Sequence, residues 1–382
     1  MLCRICDNVA EHIFYSAPRS ILAITRPVDV AINVYACRRC GHAQSEDIDF
    51  EKFYDREYQF QLESQDHDEL HAVVNGHKIY RTDLQADIAQ RLVSLKKNAK
   101  VLDYGAAKGR TLSKIYSTRP DLEPYLFDVS SDYAPLWSEW LDAGHQATYQ
   151  IPKEWAGRFD AAFCFFVLEH VQKPTAVLRE IADLLIADGL LFLTVPNPLE
   201  NYSDFTVLEH VSHFTRGSLS AALAKNGFKI EQYSADVFFG AHVVVARKVG
   251  ESEARGVATE DSVEDWKHLK DIADFWTKAE RKLKQVASDG SGRPSAIYGA
   301  SVYGSYIATR LEGRAEIRCF VDRNEHLWGE SRFGIPIVGP SELPEDVTRI
   351  YAGVNPLKAR SILKDVPEWR GREMEIIFLE GT

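Results

Sequence analysis

At 382 residues the chain exceeds what one hydrophobic core usually serves, and its 45% hydrophobic and 26% charged residues are those of a globular protein. A formal net charge of -11 repels polyanions and argues against nucleic acid as a partner. No run of about 20 apolar residues is present, which excludes a membrane-spanning helix. The opening MLCRICDNVAEH lacks the basic start and apolar run of a signal peptide, so the expected location is the cytoplasm.

That compartment keeps thiols reduced, so the six cysteines need an explanation other than disulfides. Cys164 and Cys319 stand singly in apolar runs and read as buried structural thiols. The other four form Cys3-x-x-Cys6 and Cys37-x-x-Cys40 within an N-terminal segment, residues 1–75, that shows little regular pattern. Two such pairs can present four thiolates to one tetrahedral zinc ion, and Gly41 suits the tight turn that a knuckle requires. Four thiolates leave no open position, so the expected zinc is structural and holds together a segment poor in apolar residues. A redox pair is the alternative.

Past residue 75, Thr82-Asp83-Leu84-Gln85 reads as a capping box opening a helix, with Leu84, Ile88, Leu92 and Leu95 on its inner face. From Val101 short apolar strands alternate with helices. VLDYG, PYLFDVS, RFDAAFCFF, LLFLTVPNP and VFFGAHVVVARK read as strands. Helices are expected at 111–117, at PTAVLREIADLLIADG with Gly189 as its C-cap, and at SLSAALAKNGF with Gly227 at its end. That alternation predicts a mainly parallel sheet covered on both faces, over 76–248. Residues 249–261 read as a polar linker. A long amphipathic helix follows, carrying Val263, Trp266, Leu269, Ile272, Phe275, Leu283 and Val286, to close a connecting segment at 249–292. A second α/β unit occupies 293–382 and loosely echoes residues 101–130.

Asp103-x-Gly105-x-x-x-Gly109 lies where a strand gives way to a helix, and the next strand ends at Asp128. Glycines there admit a ligand close to the backbone, and the second acidic group suits ribose hydroxyls. A dinucleotide site would look similar. The following block, FDAAFCFFVLEHVQKPTAVLREIADLLIADGLLFLTVPNP, resembles the fourth strand, loop, helix and fifth strand of class I S-adenosylmethionine-dependent methyltransferases. The resemblance implies S-adenosylmethionine as cofactor. It sets Asp103 toward the donor's cationic end, Gly105 and Gly109 along the donor, and Asp128 on its ribose. Val167, Leu168, Glu169 and His170 would form the loop beside its methionine part.

Methyl transfer from a sulfonium needs orientation and, for a hydroxyl or carbon acid, removal of the acceptor's proton. Leu208-Glu209-His210-Val211-Ser212-His213-Phe214-Thr215 follows LLFLTVPNP, the segment that resembles the family's fifth strand, at the sheet's carboxyl edge. His210 and His213 are candidate bases, and Glu209 a candidate to orient or charge a neighbour. Thr215 in the same run suits a helix cap.

The whole layout resembles the three-domain nucleotide-sugar C-methyltransferases: a four-cysteine zinc domain, a class I domain and a C-terminal Rossmann-like domain. IYGASVYGSYI, FVDRN and FGIPIVGPSEL carry the C-terminal likeness, and Glu209-His210 the family's Glu-His pair. The resemblance implies a small sugar or nucleotide-sugar substrate and His210 as base. Val207 stands where the family has a tyrosine, Ala107-Lys108 where an Asn-Asp pair is common, and Tyr54, Tyr58, Gln59 and Gln61 where a Tyr- and Ser-rich strip is usual. O- or N-methylation of another small molecule or glycan therefore stays open, as does a zinc-ribbon nucleic-acid methyltransferase. Gly299, Gly304 and Asp322 also admit a dinucleotide site, without a downstream Tyr-x-x-x-Lys pair.

Overall fold

The computed structural model describes residues 1–10, 12–22, 26–47, 68, 70–74, 77–250, 262–289, 292–364 and 366–379. Tyr54, Tyr58, Gln59, Gln61 and most of the expected linker lie outside these residues.

The central sheet has seven strands in the order Gln146–Thr148, Glu123–Asp128, Lys100–Tyr104, Phe159–Phe165, Leu185–Pro196, Ala241–Lys248 and Phe228–Ser234. The first five are parallel, and Ala241–Lys248 runs antiparallel to both neighbours. Near-continuous apolar runs such as Leu191-Phe192-Leu193, fully buried, are what a sheet covered on both faces demands. Strand order reverses beside Lys100–Tyr104, so connections leave that strand's carboxyl end to opposite sides. This opens a crevice where the Asp103–Gly109 turn lies.

Two local expectations are corrected. The helix expected to open with a capping box at Thr82 begins at Arg81 with Tyr80 as its N-cap, and the Tyr80 side chain makes no capping hydrogen bond. The Thr82 N–H instead faces the Asp68 carboxylate at 3.3–3.4 Å. The helix expected to run to Gly189 is Pro174–Leu184, and the strand starts at Leu185. Pairing of Leu185 with Phe159 pulls the chain out of the helix. Asp188 (φ 59°) then turns it within the irregular register between Leu185 and Leu190. Gly227 does sit just past the helix Arg216–Lys225, in the left-handed region.

The N-terminal segment is more regular than its sequence suggests. His12–Ala17, Ile32–Ala36 and Ala43–Ser45 form an antiparallel sheet whose fourth strand, Ser212–His213, comes from the central part of the chain. A third sheet of six strands lies within Ser295–Ile377. The helix Ser262–Asp289 joins the parts: Leu269, Ile272, Trp276 and Leu283 share one buried cluster with Tyr15 and Ile32 on one side and Tyr303, Tyr306 and Ile307 on the other. Among the described residues, no helix is long and apolar enough to cross a membrane.

Candidate active site

The turn after Lys100–Tyr104 is built by backbone geometry. Gly105 (φ +78°) donates its N–H to Phe127 O at 2.9 Å, and a Cβ there would lie 2.4 Å from Val167 Cγ2. Gly109 (φ +67°) caps the helix Arg110–Thr118, with Leu126 2.9 Å from where a Cβ would be. Ala107 also adopts a left-handed φ, 46°, the conformation that explains why glycine suits that position. Its N–H donates to Asp128 Oδ2 at 2.9 Å, while Ser130 N–H donates to Asp128 Oδ1 at 3.0 Å. Asp128 therefore braces the turn, whatever else it binds.

Asp103 is buried, and its Oδ1 has no hydrogen-bond partner. Burial, with Asp128 adding repulsion, pushes its carboxyl up to about 8. Such an orphaned carboxylate fits a cationic ligand group. Val167 packs on Gly105, Leu168 and Glu169 are buried, and His170 is partly exposed. Sequence reasoning missed Phe166, which follows the strand Phe159–Phe165 at φ 55° with the Arg81 guanidinium 4.1 Å above its ring.

The strand Leu185–Pro196 leads to the turn Tyr202–Thr206, and its Asp204 is the second omission. Asp204 is buried and contacts both candidate histidines: Oδ1 lies 2.5 Å from His210 Nδ1 and Oδ2 2.6 Å from His213 Nδ1. An Nδ1–H donating from His210 leaves its Nε2 as the proton acceptor. His210 meets His170 edge to face, ring centroids 4.8 Å apart, which brings the acceptor-side loop against the donor-side loop.

Burial alone would depress His210, but the hydrogen bond and charge of Asp204, with Glu169 and Glu209, raise it to about 9. Burial would raise Asp204, yet both histidines hold it well below the usual carboxylate range. Burial lifts Glu169 to about 7, and burial with the nearby His210 lowers His170 to about 3. Glu209 is buried and acts on His210 through its charge.

His213 is not placed to meet an acceptor. It is fully buried, with Asp204 at one ring nitrogen and Ser45 Oγ 3.2 Å from the other. Its strand pairing, Ser212 with Gln44 and His213 with Ala43, draws it into the N-terminal sheet. Thr215 caps the next helix reciprocally with Ser218.

Cys3, Cys6, Cys37 and Cys40 bring their sulfurs within 4.8 Å of one another, with Cys3–Cys40 and Cys6–Cys37 at 3.5 Å. Four sulfurs each about 2.3 Å from a central ion would be spaced similarly. The two knuckles share a form: Asp7 (φ 60°) after the first pair takes the left-handed backbone that Gly41 (φ 68°) takes after the second. Cys164 and Cys319 are buried within the central and C-terminal sheets.

The family model described as a methyltransferase domain matches residues 77–233. The central domain is a class I methyltransferase domain. Two similar curated proteins are the ubiquinone biosynthesis O-methyltransferases of Xanthomonas axonopodis pv. citri and Xanthomonas oryzae pv. oryzae, each 36% identical over 104 residues. The match covers 26% of this chain and 44% of each relative, so the chain spans less than half the length of the curated relatives it matches. Similar solved structures include an S-adenosylmethionine-dependent methyltransferase from Mesorhizobium loti (13% identity, TM-score 0.36, 43% of this chain and 97% of that one). Another is the CurJ carbon methyltransferase (15% identity, TM-score 0.35, 44% and 54%).

Proposed function

We propose that the protein transfers a methyl group from S-adenosylmethionine to a small sugar acceptor, probed best with nucleotide-linked sugars, and that His210 removes the acceptor's proton. The observation that carries this reading is the His210–Asp204 pair, set against His170 of the donor-side loop. When bound, S-adenosylmethionine supplies an electrophilic methyl group. Asp103 meets its ammonium, the Gly105–Gly109 turn admits its backbone-hugging part, and Asp128 takes its ribose. Asp204 holds His210 in one tautomer and stabilises the imidazolium formed when Nε2 accepts the proton. The four cysteines hold a structural zinc ion.

Two features support a sugar nucleotide. One is the three-part layout with its Glu209-His210 pair. The other is that the C-terminal sheet repeats the donor turn: Gly299 N–H donates to Val321 O at 2.7 Å, and Asp322 accepts from Ala300 N and Asn324 N at 2.8 Å each. This edge is the expected grip for the nucleotide end. The test is calorimetric titration of S-adenosylhomocysteine, then of a nucleotide and nucleotide-sugar panel, followed by transfer of labelled methyl to any binder. Binding of the first without any of the second removes the sugar-nucleotide reading.

O-methylation of a hydroxyl is the second reading, favoured by the names of the Xanthomonas relatives. Glu169, His170 and His210 offer ligand atoms within 4.8 Å of one another, a set that fits a divalent cation able to acidify a hydroxyl. Methyl transfer to a hydroxyl that persists after removal of loosely bound divalent ions overturns the role of the cation, and an acceptor methylated on carbon overturns the reading itself.

The raised Asp103 carboxyl gives a further expectation. It holds a proton at neutrality, whereas a ligand ammonium favours the ionised form, so S-adenosylhomocysteine binding releases a proton. Affinity should rise from about pH 6 to about pH 8, and Asp103→Asn should weaken binding roughly tenfold and flatten the dependence. Calorimetry in buffers of different ionisation enthalpy counts the proton. Proton-neutral binding would remove Asp103 from the donor site.

A further inference from the structure

Asp204 sits on a short turn that the methyltransferase domain does not hold by itself. The Tyr303 hydroxyl, from the C-terminal helix Val302–Leu311, accepts from the buried Ser203 N–H at 3.0 Å and donates to Asn201 Oδ1 at 3.1 Å. Trp276 of the long helix donates its indole N–H to Tyr202 O at 2.6 Å, and Asn355 Nδ2 donates to Glu200 O at 2.6 Å. The Tyr303 ring stacks on Trp276, centroids 5.9 Å apart and planes at 20°. Both aromatic residues are buried. Within the methyltransferase domain Asn197 O accepts from the Glu200 and Asn201 N–H groups and Gly240 N–H donates to Glu200 Oε2, whereas the partners of Glu200 O, Tyr202 O and the Ser203 N–H come from beyond residue 262.

A tight 3₁₀ turn satisfies few of its own backbone groups, so outside partners decide where it settles. The Ser203 N–H is one residue from Asp204, and a buried N–H left without an acceptor drives the backbone to find another.

We propose that Tyr303 is a positioning residue for His210: its hydroxyl fixes the Asn201–Ser203 turn and thereby aims the Asp204 carboxylate at His210 Nδ1. The C-terminal domain then sets the geometry of the base from outside the domain that binds the methyl donor. This deepens the reading of His210 as base and rests on it for its functional meaning, whereas the tether itself is structural and separately measurable. Asp204, Glu169, Glu209 and His170 face His210, with His213 behind Asp204. Of these, Asp204 is the group that the tether moves.

The test uses the full chain with S-adenosylhomocysteine bound and reads the downfield Nδ1 proton of His210 by proton NMR, assigned by its loss in His210→Gln. Tyr303→Phe keeps the ring and its stack but removes the hydroxyl. The expected result is an upfield move of the His210 signal and about tenfold faster exchange with solvent, as loss of one buried hydrogen bond allows, with S-adenosylhomocysteine affinity unchanged. An unaltered His210 signal in Tyr303→Phe overturns the proposal. Should that variant lose ligand binding and so fail to fold, Trp276→Phe, which deletes the tether to Tyr202, carries the same expectation and the same refutation. Methyl transfer surviving in His210→Ala would remove the base reading and leave the tether result standing, so the two failures are distinct.

Discussion

Replacing Asp204 with asparagine is expected to cut methyl transfer about 100-fold and to move its pH profile, while leaving S-adenosylhomocysteine binding intact. The magnitude follows from what the carboxylate does. In the proposed mechanism it fixes the His210 tautomer with Nε2 as acceptor, and its charge stabilises the imidazolium that proton removal would create. Asparagine can keep a hydrogen bond but not the charge. His210→Ala removes the acceptor altogether, and a loss of about 10² to 10⁴ is expected.

The sign of the pH effect follows from the protonation state that the reaction needs. His210 must be neutral to accept a proton, and in the ligand-free protein it is raised to about 9. The second-order rate constant should therefore climb with pH through that region, not level off near neutrality. Without the Asp204 charge, burial prevails and His210 falls, so the rising limb shifts toward acid. The measurement is initial rate against pH for the wild type and Asp204→Asn. A common profile for both proteins would mean that another group takes the proton.

With the four cysteines holding zinc as proposed, loss of the ion is expected to abolish turnover by a route that does not touch the donor site. The strand Ser212–His213 completes the N-terminal sheet, and Arg4, between the first two cysteines, donates to Val211 O, Ser45 O and Asp47. On the other side, Lys225 bonds Ile5 O and Asp7 of the same knuckle. The knuckles thus brace the loop that carries His210. A structural zinc site contributes about 10 to 16 kcal/mol in isolated zinc-finger peptides, more than this small segment can replace by burial. Cys37→Ser should lower bound zinc, depress the melting temperature and reduce methyl transfer at least about 100-fold through the lost base. S-adenosylhomocysteine should still bind, because the turn that admits it rests on the central strands. Full activity in a zinc-free Cys37→Ser protein would mean that the N-terminal sheet holds without metal.

Much of the molecule follows from local pattern. Apolar strands alternating with amphipathic helices dictate a parallel sheet wrapped on both faces. Turn glycines at 105 and 109 mark where that sheet opens, and the cysteine spacing places four sulfurs together, because each signal lies within a few residues and reports its own geometry. The long helix was legible for the same reason, since its inward residues recur at helical steps along 28 residues.

Only the tertiary structure decided which histidine has a proton acceptor left. His210 and His213 look equivalent in sequence, and a pairing with Gln44 and Ala43, nearly 170 residues earlier, buries one and leaves the other partly exposed. Asp204 escaped notice because its partners stand six and nine residues on, at no helical or strand period, and the turn that aims it is held by Trp276 and Tyr303. Hydrogen bonds between such distant segments leave no local trace in composition or periodicity. They exist only once the separate cores have packed against one another.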